Sequence, residues 1–534
     1  MPSDKIPLVD RSRSLDHDYG TLTNGNLHSS KCQNTTSYSR KKWISLSVAY
    51  FGTFIMHCQV SIYWYSIWPY LLQLDPAAPA SFMGAIVGAF TFSQAVSSPL
   101  LGYWSNKSRN TKRPVIVGYV LNILGNLWMA YAEAFPVPAR RWILLTARIV
   151  SGAGSGNIGV IQAYAAQTST LKERNTVMSI LSAIMTLSYM IGPVIQTAFI
   201  FLGPEGYSTK YFYFNMYTAP AFLSICLSLL STALTLGLWK EYNISVKEDS
   251  ADTVGKSLPK YDMIAALSCI FVRSILEFCI TYDATCLYAL VNWIGSPLTM
   301  VMFNWNQKEV VLYNGIIMFV SAVVDLTGTF FIGNILLKYV EERTVLVSGV
   351  MSLFLFYIIS FPWPGLPKLD NITYNPEQIE DSNGATTAIF NFSQNPNETG
   401  IGCNYAWCQY TTKIYLAQYL VAFCFGVMGT CCFYTATTTL FSKVLGPRRQ
   451  GTMQGVFIST GSIAATVSPI TVSLVFEHFG PRVAWGIAMI FVLVALVSAL
   501  CTYNRLLPYE NRKAVFHKDL ATTHNCTHNW HAIK

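Results

Sequence analysis

Residues 215–239 read NMYTAPAFLSICLSLLSTALTLGLW, and no charged side chain interrupts them. As a helix rising about 1.5 Å per residue, a run of this length crosses the roughly 30 Å hydrocarbon layer of a bilayer once. The run does not alternate apolar with polar, so it does not read as a barrel strand, and in lipid a helix is the way to pair every backbone N–H and C=O within the segment. Lys240 closes it, and a polar stretch of Lys, Glu, Asp and Ser follows to Asp262. Outward from this point comparable runs recur. Before it lie spans near 44–72, 82–104, 114–132, 142–166 and 176–202; after the polar stretch lie spans near 279–303, 310–336, 344–361, 413–440, 453–476 and 481–503. The predicted class is all-α and transmembrane, with about 12 helices in two six-helix halves.

The composition agrees. Of the 534 residues 52% are hydrophobic and only 12% charged, about half the charged share of a soluble domain. The net charge of +9 forms no single basic patch that would point to nucleic acid; it is divided among short loops. With the amino terminus in the cytosol, that side holds 27 Lys and Arg and the opposite side 7, while Arg148 and Arg273 lie in or beside spans. Positive charge collects on the cytosolic side of membrane proteins, so both tails and the central loop are expected there. The organisation is then a tail 1–43, a half 44–239, a linker 240–262, a half 263–503 and a tail 504–534. The tail 1–43 contains no cleavable signal pattern. A repeat supports two halves: Gly84 to Gly102 and Gly315 to Gly333 have one spacing, in the second span of each half.

On the far side lies the long loop 362–412, with acceptor sequences for N-glycans at Asn371, Asn391 and Asn397. Cys403 and Cys408 in the same loop are the two cysteines expected to meet an oxidising compartment, where a disulfide between them is open. Nine of the thirteen cysteines fall in spans, as small apolar residues.

Three polar residues inside spans are candidates for a transport path. Arg148 in span four would cost at least about 3 kcal/mol unpaired in lipid, so it must face protein or water; it attracts an anion or locks two helices. Gly152, Gly154 and Gly156 after it allow close helix approach. Asp325, midway along span eight with no base within a turn, is the candidate proton-binding or gating residue. His57 in span one titrates near neutral pH or is a hydrogen-bonded interior residue. Arg273 and Glu277, one turn apart, form an internal ion pair, and the stretch 263–283 reads as an interfacial helix feeding span seven. Gly192-Pro193 and Ser468-Pro469 predict kinks in spans five and eleven. Tyr63, Trp64, Tyr65, Trp68 and Tyr70 read as an interfacial aromatic belt. His524, Cys526, His528 and His531 fit no zinc spacing, and no cofactor, metal site or catalytic set is expected.

The loop after span two, Gly102-Tyr-Trp-Ser-Asn106-Lys107-Ser-Arg109-Asn-Thr-Lys112-Arg113, resembles the signature of the major facilitator superfamily, with Asn106 where the signature has an acid and Arg109 where it has a second glycine. Arg148 with its glycines resembles the fourth-helix signature, and Gly192-Pro193 part of the fifth. Ser66-Ile-Trp-Pro-Tyr70, Asp75-Pro76, Leu101 to Asn106, Asn215-Met-Tyr-Thr218, Val311 to Ile317, Ala406-Trp-Cys408 and Leu445-Gly-Pro447 are similar to the lysosomal branch of that superfamily. The resemblance implies the major facilitator fold, a late endosomal and lysosomal address with glycans before span ten, and chloride permeation or small-solute carriage. Asp4 with Leu8 and Val9 is similar to an acidic dileucine sorting signal, and Tyr19 with Leu22 to a tyrosine-based one, both read by cytosolic adaptors. The expectation is a carrier of a small solute or anion, with protons as a possible co-substrate; an endolysosomal chloride channel and a non-transporting receptor or scaffold are the alternatives.

Overall fold

The computed structural model describes residues 24–63, 66–76, 78, 80–170, 173–203, 206–208, 213–242, 261–292, 307–367, 372–373, 401–402, 412, 414–446 and 448–509. The expected sorting residues Asp4, Leu8, Val9, Tyr19 and Leu22, the glycan acceptors Asn371, Asn391 and Asn397, the pair Cys403 and Cys408, and the His/Cys tail cluster lie outside these residues.

The described residues are mostly helical. The first half comprises α1 (Asn24–Ser61), α2 (Ile67–Leu74), α3 (Ala80–Ser108), α4 (Lys112–Ala130), α5 (Val137–Ser155), α6 (Ile158–Thr168), α7 (Arg174–Ala198) and α8 (Ala219–Leu238). The second comprises α9 (Met263–Asn292), α10 (Gln307–Phe331), α11 (Glu342–Ser360), α12 (Leu416–Leu445) and α13 (Gly451–Cys501). Two two-residue strand pairs, Tyr207–Ser208 with Tyr213–Phe214 and Ile372–Thr373 with Ile401–Gly402, are the strands among the described residues. Nine described helical segments are long and apolar enough to cross a membrane; α1, α4 and the α5–α6 pair supply the remaining crossings of a twelve-helix bundle.

Glycine and proline set the joints. Gly480, at φ 78°, breaks α13 into limbs 451–479 and 481–501 without a loop, a left-handed backbone that a side chain would oppose. α10 runs on through a π turn, Ile332–Leu336, to Tyr339. Pro193 lies inside α7 and Pro469 inside α13, each leaving one turn of the ladder without its N–H. Next to Pro469, the Ser468 hydroxyl donates to the Phe278 carbonyl at 3.0 Å and ties the first limb of α13 to α9.

Two sequence expectations fail. Residues 263–283 are not an interfacial helix: α9 is one continuous helix, and 263–281 is itself a crossing buried against α13. Arg273 and Glu277 are tolerated there because both face the interior and offset each other's charge. Nor do Tyr63 and Tyr70 form an interfacial belt. They are 2% and 0% exposed, with Tyr63 donating to Asn126 Oδ1 at 2.6 Å and Tyr70 to the Met129 carbonyl, so their hydroxyls are satisfied inside the first half.

The seam between the halves is built from small residues. α3 lies along the first limb of α13, and α7 lies against α10 and α12. A Cβ on Gly102 would strike the Gly451 carbonyl, and one on Gly455 would come within 2.6 Å of the Ser98 carbonyl.

Candidate functional site

Six elements meet at one region of this seam, five of them bringing polar side chains. From the first half, α1 supplies His57 and α7 supplies Thr186 and Tyr189; from the second, α9 supplies Arg273 and Glu277, α10 Asp325, α12 Cys431 and Tyr434, and α13 Phe457 and Gly461. His57 Nδ1 donates to the Thr53 carbonyl at 2.8 Å. Its ring meets Tyr189 edge-on, with centroids 5.5 Å apart. Tyr189 lies within electrostatic reach of both Arg273 and Glu277.

Arg273 is 7% exposed. Its guanidinium sits 4.5 Å from the Phe457 ring centroid, and its Nη2 is 3.7 Å from Glu277 Oε2, beyond hydrogen-bond length. The Tyr434 hydroxyl donates to that same Oε2 at 3.2 Å. One turn away on α12, Cys431 Sγ donates to Asp325 Oδ1 at 2.8 Å, while Thr186 Oγ1 of the opposite half donates to Oδ2 at 3.0 Å. Because Thr186 and Tyr189, and likewise Cys431 and Tyr434, are three residues apart on helices, each pair shares a face. One face of α12 thus serves both acids, Cys431 bonding Asp325 and Tyr434 bonding Glu277, while Thr186 reaches Asp325 from the opposite half.

Arg148 stands outside this cluster. Its guanidinium lies 4.4 Å from the Phe90 centroid and 5.4 Å from that of Tyr63, 6% exposed, with a buried Nε that has no hydrogen-bond partner. No carboxylate among the described residues forms an ion pair with it. Tyr63 is held by Asn126, whose amide approaches Gln59 Oε1 at 3.4 Å, and Gln59 in turn donates to Ser228 at 2.6 Å. Gly152 admits the Phe90 carbonyl, Gly154 the Gly118 carbonyl and Gly156 the Ser97–Ser98 backbone; with side chains there, α5 could not reach α3 and α4. Gly192 in the same way admits Ser61 at the end of α1.

The end of the bundle that carries Lys107, Lys112, Arg113, Arg448 and Arg449 is closed by contacts between halves. Asn106 Oδ1 accepts the Gly451 N–H at 3.1 Å, and its amide donates to Thr452 Oγ1 at 2.8 Å. A neutral amide thus satisfies a free N–H at the start of α13. Arg174, wholly buried, donates to the Ala166 carbonyl and, across the seam, approaches the Ser442 carbonyl at 3.5 Å. Asn175 reaches the Leu337 carbonyl and Glu342 Oε1, both at 3.2 Å. The ion pairs among the described residues, Lys42 with Glu173, Arg141 with Asp75, Arg273 with Glu277, Arg343 with Glu341, Lys443 with Glu342 and Arg505 with Asp262, each lie within one half. At Glu173, burial pushes the carboxyl up, but the hydrogen bonds from Lys42 and Thr170 outweigh it and leave the group below its ordinary range.

Of the expected path residues, His57 and Asp325 fall in the seam cluster and Arg148 does not. The sequence reading missed Thr186, Tyr189, Cys431 and Tyr434, for which nothing in a chain with 30 tyrosines gives a signal. The spacing of Arg273 and Glu277 did announce a pair, but not its position.

Residues 49–373 and 399–530 match the family described as Major Facilitator Superfamily. Major facilitator superfamily domain-containing protein 8 of Xenopus laevis is 30% identical, over 91% of this chain and 96% of its own. Multidrug resistance protein 2 of Bacillus subtilis (strain 168) is 24% identical over 52% of this chain and 65% of its own. Among solved structures, the human organic anion transporter MFSD10 (TETRAN) superposes with TM-score 0.57 at 12% identity, covering 86% of this chain and 99% of its own. The proton:xylose symporter XylE superposes with TM-score 0.58 at 12% identity, covering 88% and 97%.

Proposed function

Because the chain belongs to the Major Facilitator Superfamily and is accordingly a membrane transporter, we propose that it carries a small anionic solute across the late endosomal and lysosomal membrane. The seam cluster opens alternately to lumen and cytosol, and both tails are cytosolic. The observation that carries this reading is the cluster itself: His57, Tyr189, Arg273, Glu277, Asp325 and Tyr434 come from both halves, so any rocking of one half against the other changes their surroundings. A cargo held there meets a guanidinium for its negative charge, with Asp325 as the proton-binding acid.

The lysosomal address draws support from the motifs similar to the lysosomal branch of the superfamily and from the adaptor-type sequences around Leu8 and Tyr19. The closed end rich in Lys and Arg is the cytosolic one on the positive-inside argument, which leaves the cluster facing the lumen. The test is a recording from enlarged endolysosomes, paired with uptake measurements, comparing wild type with Asp325→Asn and Arg148→Gln. Saturable flux that falls in Asp325→Asn is expected; equal flux in all three, with each protein at the lysosome, overturns the reading.

The Arg148 guanidinium without a carboxylate partner favours a second reading, an endolysosomal chloride conductance, since a buried lone cation attracts an anion. A current that follows the chloride gradient and disappears in Arg148→Gln would establish it in place of the carrier.

A further inference from the structure

Beyond Phe331, α10 passes into a wide turn in which the Leu337 N–H donates to the Ile332 carbonyl, five residues back. A turn of this kind holds one residue more than an α-helical turn and recurs at functional sites. At its entry the Asn334 side-chain amide donates to the Phe330 carbonyl at 3.1 Å. The matching helix of the first half has no such turn: α3, whose Gly84 and Gly102 repeat the spacing of Gly315 and Gly333, is α-helical from Ala80 to Ser108.

The extra residue has a use at the seam, where α7 runs antiparallel to α10 and touches it at three levels. Toward the cytosolic end the Asn175 amide donates to the Leu337 carbonyl at 3.2 Å. That carbonyl lies in the last turn before Val340 leaves helical geometry, among those a helix end leaves free. Next, Ser179 fits against Gly333, where a Cβ would lie 1.9 Å from its hydroxyl. In mid-membrane, Thr186 donates to Asp325 Oδ2 at 3.0 Å. From Asn175 to Thr186 is 11 steps along α7, but from Leu337 to Asp325 is 12 along α10. As a regular helix α10 would carry Asp325 about 1.5 Å too far and turn it by about 100°. The wide turn absorbs the twelfth step, so the outer two contacts close together.

We propose that this turn couples closure of the cytosolic end to the Asp325 site, with Asn334 as the positioning residue that holds it wide. This deepens the carrier reading and rests on it for the part Asp325 plays. When the turn winds into a regular α-helix, the segment carrying Asp325 rotates and shifts against the segment carrying Leu337. The acid then leaves Thr186 and Cys431 as α10 comes away from Asn175. Parting of the halves at one level and release of the acid at the other become one event.

The test uses the purified full chain in vesicles and reads the rate at which N-ethylmaleimide labels the peptides carrying two cysteines. Ser442→Cys, at a buried position across the seam from Arg174, reports the cytosolic end. Native Cys431, buried and bonded to Asp325, reports the acid. Deleting Asn334 leaves 11 steps facing 11, so both contacts persist in a regular helix that has no residue to give up. Both labelling rates and uptake should fall about tenfold, with the unfolding midpoint at or above that of wild type. Asn334→Ala removes the bond to Phe330 and favours the α-helix, so both rates should rise about fivefold, what one hydrogen bond is worth. Wild-type rates after the deletion, or a change at one cysteine without the other in Asn334→Ala, overturns the coupling. A deletion that does not fold leaves Asn334→Ala to decide alone. The carrier reading is judged separately: rates that move as stated in vesicles that take up nothing remove carriage and keep the coupling, and normal uptake after the deletion does the reverse.

Discussion

Tyr434 is the residue on which the electrostatics of the seam turn, because its hydroxyl makes the one hydrogen bond to Glu277 among the described residues. Tyr434→Phe removes a bond to a charged group worth about 1.5–3 kcal/mol. The carboxylate is then left with Arg273 alone, and the unfolding midpoint should fall, as thermal denaturation of the variant would report. Outside the membrane, Glu173 gives a prediction that depends on pH. Its carboxyl is held below the ordinary value of 4.5 by Lys42 and Thr170 against the effect of burial, so the folded state binds the proton less readily than the unfolded chain. The stability it contributes is present in full above that ordinary value and is lost as pH falls through the lower folded one. Thermal unfolding across this acid window should therefore be flatter for Glu173→Gln than for wild type, with equal slopes at neutral pH. At this scale sequence reading was uneven. Asp325 stood out because an acid in an apolar run is expensive, whereas Thr186 and Cys431, which hold it, are unremarkable residues in any membrane helix.

At the scale of the helices, composition was enough to locate most crossings, since a run such as 219–238 has no alternative solvent. It failed at α9, where Arg273 and Glu277 broke the apolar signal and the reading shifted the crossing downstream. Only the tertiary arrangement reveals that the two charges point at one another and at the seam rather than at headgroups. The glycines of α5 were legible as close-approach residues, and their partners are now defined. Gly152→Ala should push α5 off the Phe90 carbonyl of α3 at a cost of about 1–3 kcal/mol, seen as a lowered unfolding midpoint. Because Phe90 also lies against Arg148, the same change should weaken any anion dependence of transport.

For the whole molecule, the two-half plan was readable from the central polar stretch and the repeated glycine spacing, but how the halves meet was not. Asn106 shows why: the sequence marks a departure from an acidic signature, while the structure keeps the contact by letting the amide accept from Gly451 and donate to Thr452. Asn106→Ala should destabilise the closed end by about 0.5–2 kcal/mol, as loss of a helix-start acceptor does. Asn106→Asp should strengthen it, because the carboxylate also meets the positive end of α13. Accessibility of a single introduced cysteine in the cleft, read by labelling rate, should move in opposite directions for the two variants.

With all the described charge pairs kept inside one half or the other, the two bodies can part without stripping any salt link of its counter-ion. The described contacts that must break between the halves are then hydrogen bonds, some of them to charged groups, rather than ion pairs. Adding electrolyte should barely alter how quickly the transporter cycles, even though its loops are crowded with cations.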